Sequence, residues 1–249
     1  MKKWKNDFVF AFRMLPVTVI ATLFVFFYQL ELFKEQIEAM AQQAGGIAVV
    51  AVIGILQTCI LLFIACFFGH HLAVKLGLWR KFELQKQPVV QTVLIGLVFG
   101  IVLLADHFVL GGMYPEIRMA NQAGNTLIGV AAAVIYGGIV EELLMRLFVM
   151  SLFCWIVWKL FAGKKEPVFG WVFVTGNILA SLLFAAGHLP ATVSLFQGLD
   201  ILIVLRCFVL NGLPGFCFGL LYQKFGLQYA ILCHMACHLW FKLMLLLII

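Results

Sequence analysis

Long apolar stretches dominate this sequence and decide what it can fold into. A helix needs about twenty apolar residues to cross a bilayer, whereas a transmembrane barrel would show alternating segments of about ten residues. The stretches that are long enough cover residues 8–29, 46–69, 89–110, 126–162, 169–188, 199–223 and 227–249. We therefore expect an all-α, polytopic transmembrane bundle of about seven or eight helices.

The chain shows no sign of division into separate units. It has no internal repeat and no Gly/Ser-rich or charge-rich linker, so residues 1–249 are expected to form a single integral membrane domain. The first apolar stretch is too long for a cleavable signal peptide and is expected to remain as a span. Gly137–Gly138 predicts a bend or break in the fourth span, and Asn211–Gly215 predicts a kink or helix boundary in the sixth.

Charge and cysteine content exclude several classes of protein. Of the 249 residues 64% are apolar and only 11% are charged, which is too little charge for a soluble domain of this size. The net charge of +6 is spread over the loops, so it indicates contact with an anionic membrane leaflet and no nucleic-acid partner. The seven cysteines lie in apolar segments without CxxC spacing, which argues against a disulfide framework or a zinc ribbon.

Basic residues predict how the chain is oriented. One set of loops holds Lys2, Lys3, Lys5, Lys75, Arg80, Lys81, Lys86, Lys164, Lys165 and Lys224, and the alternate loops hold only Lys34 and Arg118. Because basic loops stay inside, we expect a cytoplasmic N-terminus and an external C-terminus. The compact chain with short loops favours the cytoplasmic membrane of a bacterium. The sequence carries no signal for oligomeric state.

Three charged residues interrupt the fourth apolar stretch: Glu141, Glu142 and Arg146. Charges at this depth are costly and are normally paired and functional. On a helix Glu142 and Arg146 lie one turn apart on one face, while Glu141 lies about 100° away. The spacing predicts that Arg146 neutralises Glu142 and that Glu141 remains as a reactive carboxylate. The alternative is an ion-pair network that only holds helices together.

Histidines in two later spans could complete a site. Asn177, Ser181, Phe184 and His188 form a polar stripe on one helical face, although His188 could also be a simple interfacial residue before Pro190. His234 and His238 stack at i,i+4, but the pair is not an HExxH motif, because Met235 occupies the Glu position.

The other polar residues of the spans are expected to lie outside a site. Asp106 and His107 are predicted to be interfacial, Arg206 and Lys242 to snorkel or pair locally, and His70 and His71 to be solvated. A shared interior site of carboxylates and imidazoles is therefore the default hypothesis.

These motifs, taken together, resemble the CAAX-protease and bacteriocin-processing (CPBP, or Abi) intramembrane proteases, which include the Rce1 type. That family is marked by EExxxR, FxxxH and HxxxN or HxxxD on successive helices. The matching residues here are Glu141-Glu142-xxx-Arg146, Phe184-xxx-His188 and His234 with position 238. The likeness covers roughly residues 126–245 and implies a catalytic core in residues 126–249, after generic spans in residues 1–125. His238 departs from the family pattern of Asn or Asp.

The resemblance implies an endopeptidase that cleaves a membrane-associated peptide or protein within the bilayer. Glu141, assisted by His188, would activate a water molecule, and His234 with His238 would stabilise the oxyanion, with Glu142 and Arg146 in support. No cofactor is expected in this mechanism. The alternative is a zinc ion held by Glu141, His188 and His234, with an open position for water.

Two other classes of function stay open. A non-catalytic member of the family could bind a peptide or partner, for example in bacteriocin immunity, and the unusual His238 gives this weight. A proton-coupled transporter also uses intramembrane Glu and His, but it predicts inverted repeats, which the sequence lacks.

Overall fold

The computed structural model of the protein describes residues 2–163 and 167–248, without the side chains of Lys2 and Lys3. Lys164 and Lys165, which contribute to the orientation prediction, lie outside the described residues. Within these residues all regular structure is helical and there is no β-strand. The α-helices are α1 (Lys2–Leu32), α2 (Lys34–Ala44), α3 (Ile47–Leu76), α4 (Lys86–Val109), α5 (Pro115–Ala123), α6 (Leu127–Ala131), α7 (Ser151–Phe161), α8 (Gly170–Gly187), α9 (Leu189–Phe196), α10 (Ile201–Phe225) and α11 (Leu227–Ile248).

Seven helical stretches among the described residues are long and apolar enough to cross a membrane. They are Trp4–Leu32, Ile47–Leu76, Lys86–Gly112, Leu127–Phe161, Gly170–Phe196, Ile201–Phe225 and Leu227–Ile248. Each overlaps one predicted span, and the bounds differ by a few residues. The outward-facing side chains of these helices are largely apolar, as a lipid-facing surface requires. The expected polytopic membrane bundle is thus confirmed.

The fourth span is continuous, so there is no break at Gly137–Gly138. Between α6 and α7 it contains two π-helical segments, π1 (Ala132–Glu141) and π2 (Leu143–Met150). π-Helical turns are rare and concentrate at functional sites. The glycines provide space for a neighbour: a Cβ at Gly138 would overlap the side chain of Met235 on α11. α10 also runs without a boundary through Asn211–Gly215, and Pro214 lies inside it.

Close helix contacts form at several other glycines. A Cβ at Gly96 on α4 would lie 2.6 Å from the Cβ of Ala236, and one at Gly100 would lie 2.9 Å from that of Trp240. A Cβ at Gly219 on α10 would overlap the amide of Asn177 on α8. Small residues at such positions let helix backbones approach closely. α11 is thereby held between α4 and π1, with its first turns beside the two glutamates of the fourth span.

Candidate active site

The ion pair predicted within the fourth span is present and fully buried. Nε of Arg146 donates to Oε2 of Glu142 at 3.1 Å, and both side chains have no exposed surface. The guanidinium carbon of Arg146 lies 5.2 Å from the ring centre of Phe184. Both terminal nitrogens of Arg146 are buried and, among the described residues, have no hydrogen-bond partner. The pair therefore neutralises two charges, but it leaves donor capacity on Arg146 unused.

Glu142 also holds an imidazole on another helix. Nδ1 of His234 on α11 donates to Oε1 of Glu142 at 2.9 Å, and the His234 ring stacks on Phe218 with centroids 4.7 Å apart. The proton lies on Nδ1, since an ionised carboxylate can only accept. In its neutral form, His234 would therefore present an unprotonated Nε2. The sequence nominated both residues, but nothing in their spacing indicated that they would contact each other.

The second imidazole of α11 faces the first. Nε2 of His234 and Nε2 of His238 are 3.1 Å apart. If His234 is neutral, it has only a lone pair at this atom and the N–H of His238 is the donor. Gly137 of π1 borders both rings, and a Cβ there would lie 3.3 Å from Nε2 of His238 and 3.4 Å from Nε2 of His234. This glycine leaves room for the imidazole pair.

Glu141 faces a different direction from Glu142, as predicted. Its side chain is 25% exposed, in contrast to the fully buried Glu142, and one of its oxygens lies 4.0 Å from Nε2 of His234. This distance exceeds a direct hydrogen bond, and among the described residues no Lys or Arg pairs with Glu141. Glu141 is thus the accessible carboxylate of the two, beside an imidazole of fixed orientation.

His188 lies at the junction of α8 and α9. Its Nδ1 donates to the backbone oxygen of Phe184 at 2.8 Å, which leaves Nε2 as an acceptor. Below it, the polar stripe of α8 is internal and satisfied: Nδ2 of Asn177 donates to the oxygen of Phe216 at 2.9 Å, and Ser181 donates to Asn177 at 3.4 Å. The stripe therefore joins α8 to α10 and positions the end of α8.

One cavity of about 840 Å³ brings the predicted catalytic residues together. Its wall includes Glu141, His188, His234 and His238. None of the contacts among the described residues joins Glu141 directly to His188, so these two share the cavity without touching. A volume of about 300–1,000 Å³ is typical of ligand sites. The space can hold a substrate segment and water next to Glu141.

Several residues that sequence reasoning did not assign to the site also line this cavity. They are Tyr136 on π1, Glu31 and Gln29 at the end of α1, Glu116 on α5, and Arg206 and Asn211 on α10. The sequence predicts Asn211 only as part of a kink or helix boundary, but its Nδ2 donates to the oxygen of Cys207 within α10 at 2.8 Å. Tyr136 lies five residues before Glu141, and residues five apart are neighbours in a π-helix. That spacing is the one sequence feature that could have indicated its place in the site.

Phe196 lines the cavity and contacts Tyr114, which ties two loops together. The hydroxyl of Tyr114 donates to Oδ2 of Asp200 at 2.7 Å, and the backbone N–H of Ile203 donates to Oδ1 at 2.7 Å. The bonds from Ile203 and Tyr114 lower the pKa of Asp200 below its ordinary 3.8. The same Tyr114–Asp200 bond raises the pKa of Tyr114 above its ordinary 10.0.

Two basic residues of the spans make polar contacts with distant parts of the chain. Arg206 makes a bidentate ion pair with Asp106, at 2.8 and 2.7 Å. Lys242 does not snorkel: it is buried and donates to the backbone oxygen of Gly124 at 2.8 Å.

The prediction that His70 and His71 are solvated is wrong. His70 is buried, and both Nδ1 atoms contact the carboxylate of Asp7, at 2.5 Å for His70 and 3.0 Å for His71. Asp7 on α1 lies 63 residues from His70 in the chain, so local sequence gave no indication of this pairing.

The geometry gives little support to the zinc alternative. Within the described ranges no three His, Cys, Asp or Glu side chains lie close enough to share a metal ion. His188 does not form a metal-binding group with Glu141 and His234, and Nε2 of His234 lies against Nε2 of His238, 3.1 Å away. The residues present do not form the tetrahedral set that a catalytic zinc requires.

Comparison with known proteins agrees with the arrangement of these motifs. Residues 123–240 match the family model described as "Type II CAAX prenyl endopeptidase Rce1-like". No curated protein and no solved structure shows a significant match to the chain. The matched range contains Glu141, Glu142, Arg146, His188, His234 and His238, and it confirms the resemblance read from the motifs. Residues 123–240 therefore form a domain of the Rce1-like type II CAAX prenyl endopeptidase family.

Proposed function

We propose that this protein is a glutamate-dependent intramembrane endopeptidase. The observation that carries the proposal is the shared cavity. In it a quarter-exposed carboxylate, with no Lys or Arg partner among the described residues, faces an imidazole whose orientation is fixed by a buried carboxylate–guanidinium pair. A general base needs an accessible lone pair near a water site, and an oxyanion needs oriented donors. Glu141 supplies the first, and the His234–His238 pair supplies the second.

In the proposed reaction, Glu141 removes a proton from a water molecule, which attacks the scissile carbonyl. Nε2 of His188, an acceptor in the free protein, helps to orient that water. The oxyanion then takes the N–H of His238, which donates to His234 in the absence of substrate. A proton received from Glu141 by His234 makes its Nε2 a second donor. When the tetrahedral intermediate collapses, the C–N bond breaks and this proton passes to the leaving amine. A single donor of this kind typically contributes about 10²–10³ in kcat.

Glu142 and Arg146 act through His234 in this scheme. Glu142 keeps the proton of neutral His234 on Nδ1 and stabilises the imidazolium when it forms, much as a buried carboxylate does behind a catalytic histidine. Arg146 pairs with Glu142 in an apolar interior and holds it in place. Both are positioning residues, since neither touches the cavity.

Replacement of Glu141 by Gln tests the function. Cleavage products in membranes from cells that express the wild-type protein should be absent with Glu141→Gln, as measured by mass spectrometry of peptide termini. Glu116→Gln is the matched control, because Glu116 lines the same cavity but lies apart from the imidazoles. Products that persist with Glu141→Gln would refute the proposal. Wild-type-like partner capture by a folded Glu141→Ala, with no cleavage by either protein, would favour the peptide-binding alternative.

A chelator tests the metal-free mechanism. We expect purified protein to keep its peptidase activity after dialysis against EDTA or phenanthroline. Activity that is lost on chelation and restored by Zn²⁺ would overturn the mechanism and support the zinc alternative.

We further infer that the substrate enters from the extracytoplasmic side. The basic loops predict a cytoplasmic N-terminus, and the cavity is lined by Glu31 at the end of α1 and by Glu116 on α5. A cysteine at position 116 should react with a membrane-impermeant maleimide in intact cells, with the modified position identified by mass spectrometry. Modification only after permeabilisation would reverse the orientation.

A further inference from the structure

A second cleft, of about 490 Å³, lies between α1, the fourth span and α11, near the basic residues that follow α3. Its walls are almost wholly apolar. Phe10 and Met14 come from α1, Ile139 and Leu143 from the fourth span, and Leu227, Ile231, Leu232 and Met235 from α11. Met235 packs against Gly138 and so separates this cleft from the catalytic cavity. The cleft is therefore distinct from the proposed peptidase site.

Polar contacts fix one wall of the cleft. Residues 77–85 form a non-helical strap between α3 and α4, and side chains of α11 hold it in place. Tyr229 donates to the backbone oxygen of Glu83 at 3.1 Å and accepts from the backbone N–H of Gln85 at 2.8 Å. Gln228 donates to the same Glu83 oxygen at 3.2 Å. The strap is thereby held at a set distance from α11.

The opposite wall is fixed by the Asp7–His70 contact. The His70 ring stacks on Phe10, with centroids 5.0 Å apart, and meets the edge of Trp79 at 4.4 Å. Phe10 and Trp79 both line the cleft. Because polar contacts hold both walls in place, the apolar cleft between them is a fixed feature of the structure.

The rim of the cleft is basic. Arg80 lines the cleft, and Lys81 and Lys86 lie nearby in the chain, on the strap and at the start of α4, with one acidic residue, Glu83. Nη2 of Arg80 donates to the backbone oxygen of Gln223 at 3.3 Å, and the exposed guanidinium keeps further donors. Beside it, Phe82 is 79% exposed and Leu84 is 55% exposed, as suits residues in contact with lipid. A ligand that fits has an anionic head and an apolar tail.

We propose that this cleft binds one acyl chain of an anionic phospholipid, with the phosphate at Arg80 and Lys81. A polypeptide would leave backbone N–H and C=O groups unpaired against the apolar walls. A lipid tail attached to a substrate would also be misplaced here, because the Gly138–Met235 contact blocks the route to Glu141. Basic clusters at the cytoplasmic boundary of membrane helices recognise anionic headgroups.

Lipid retention in native mass spectrometry tests the proposal. Protein purified in a mild detergent is exposed to equal amounts of phosphatidylglycerol and phosphatidylcholine with identical acyl chains. We expect one phosphatidylglycerol per chain, at least tenfold above phosphatidylcholine. Arg80→Glu should abolish this preference, and Ile231→Trp, which fills the cleft, should remove binding of both lipids. Lys34→Glu, at the other end of the bundle, is the control and should retain the preference.

Three outcomes would overturn the proposal. They are equal retention of both lipids by the wild-type protein, an unchanged preference with Arg80→Glu, and undiminished binding in a folded cleft-filled variant. Thermal unfolding in the same detergent reports folding, and Leu232→Trp replaces Ile231→Trp if the latter does not fold. None of these measurements depends on peptidase activity, so the lipid site and the proposed function can fail separately.

Discussion

Removal of Arg146 alone should be far more damaging than removal of the whole ion pair. Arg146→Met leaves Glu142 charged, fully buried and bonded only to neutral His234. Loss of one partner of a buried pair typically costs about 3–5 kcal/mol, whereas replacement of both partners by apolar residues is often neutral. The expected cost corresponds to a decrease of roughly 10²- to 4 × 10³-fold in the folding equilibrium constant.

The assay is equilibrium unfolding in mixed micelles for the wild type, Arg146→Met, Glu142→Leu and the double variant. The double variant should regain most of the stability that Arg146→Met loses, but not the peptidase activity, because His234 loses its orienting carboxylate. Lys34→Met is the matched control: Lys34 and Glu38 have the same i,i+4 spacing, at 3.8 Å, but are exposed. It should cost at most about 0.5 kcal/mol. A loss below about 1 kcal/mol for Arg146→Met would refute the reasoning, since the buried carboxylate would then need no cation.

Three further changes test other parts of the structure. Gly137→Ala places a methyl group against both catalytic imidazoles and should lower peptidase activity at least tenfold; Gly54→Ala, with open space around its Cβ, should retain activity and melt at the same or a higher temperature. Gly219→Ala should lower the melting temperature through overlap with Asn177, and the added change Asn177→Ala should recover part of the loss. Because the pKa of Asp200 is lowered, its carboxylate stabilises the loop contact above about pH 3.8, and this stabilisation is lost as pH falls further. Because the pKa of Tyr114 is raised, its hydroxyl keeps the contact until pH rises above 10.0. Hydrogen exchange around residue 203 should therefore be faster at both extremes of pH, and Tyr114→Phe should remove the increase at alkaline pH.

Local sequence was sufficient for features that depend on composition or on one helix. The seven spans follow from the apolar runs, and the Glu142–Arg146 pair follows from its i,i+4 spacing. The motifs also nominated His188, His234 and His238, which the structure places on one cavity wall. These predictions needed no knowledge of how the helices pack.

Features set by packing between distant segments could not be read in this way. A π-turn and an α-turn differ by one residue in hydrogen-bond register, and close packing of π1 against α11 at Gly138 accompanies the wider turns. The bond from His234 to Glu142 joins residues 92 positions apart, and that from His70 to Asp7 joins residues 63 positions apart. Neither partner is indicated by spacing.

The location of Glu142 and Arg146 on a single helix also bears on how the chain enters the membrane. A pair one turn apart can neutralise itself as soon as that helix forms, before α11 is made. The fourth span then enters the bilayer with only Glu141 uncompensated, and this residue can be carried in protonated form. Each charge that the Glu142–Arg146 pair neutralises would otherwise cost about 2.5–3.5 kcal/mol on insertion scales. The reactive carboxylate can thus be accommodated during biogenesis without help from the histidines that later surround it.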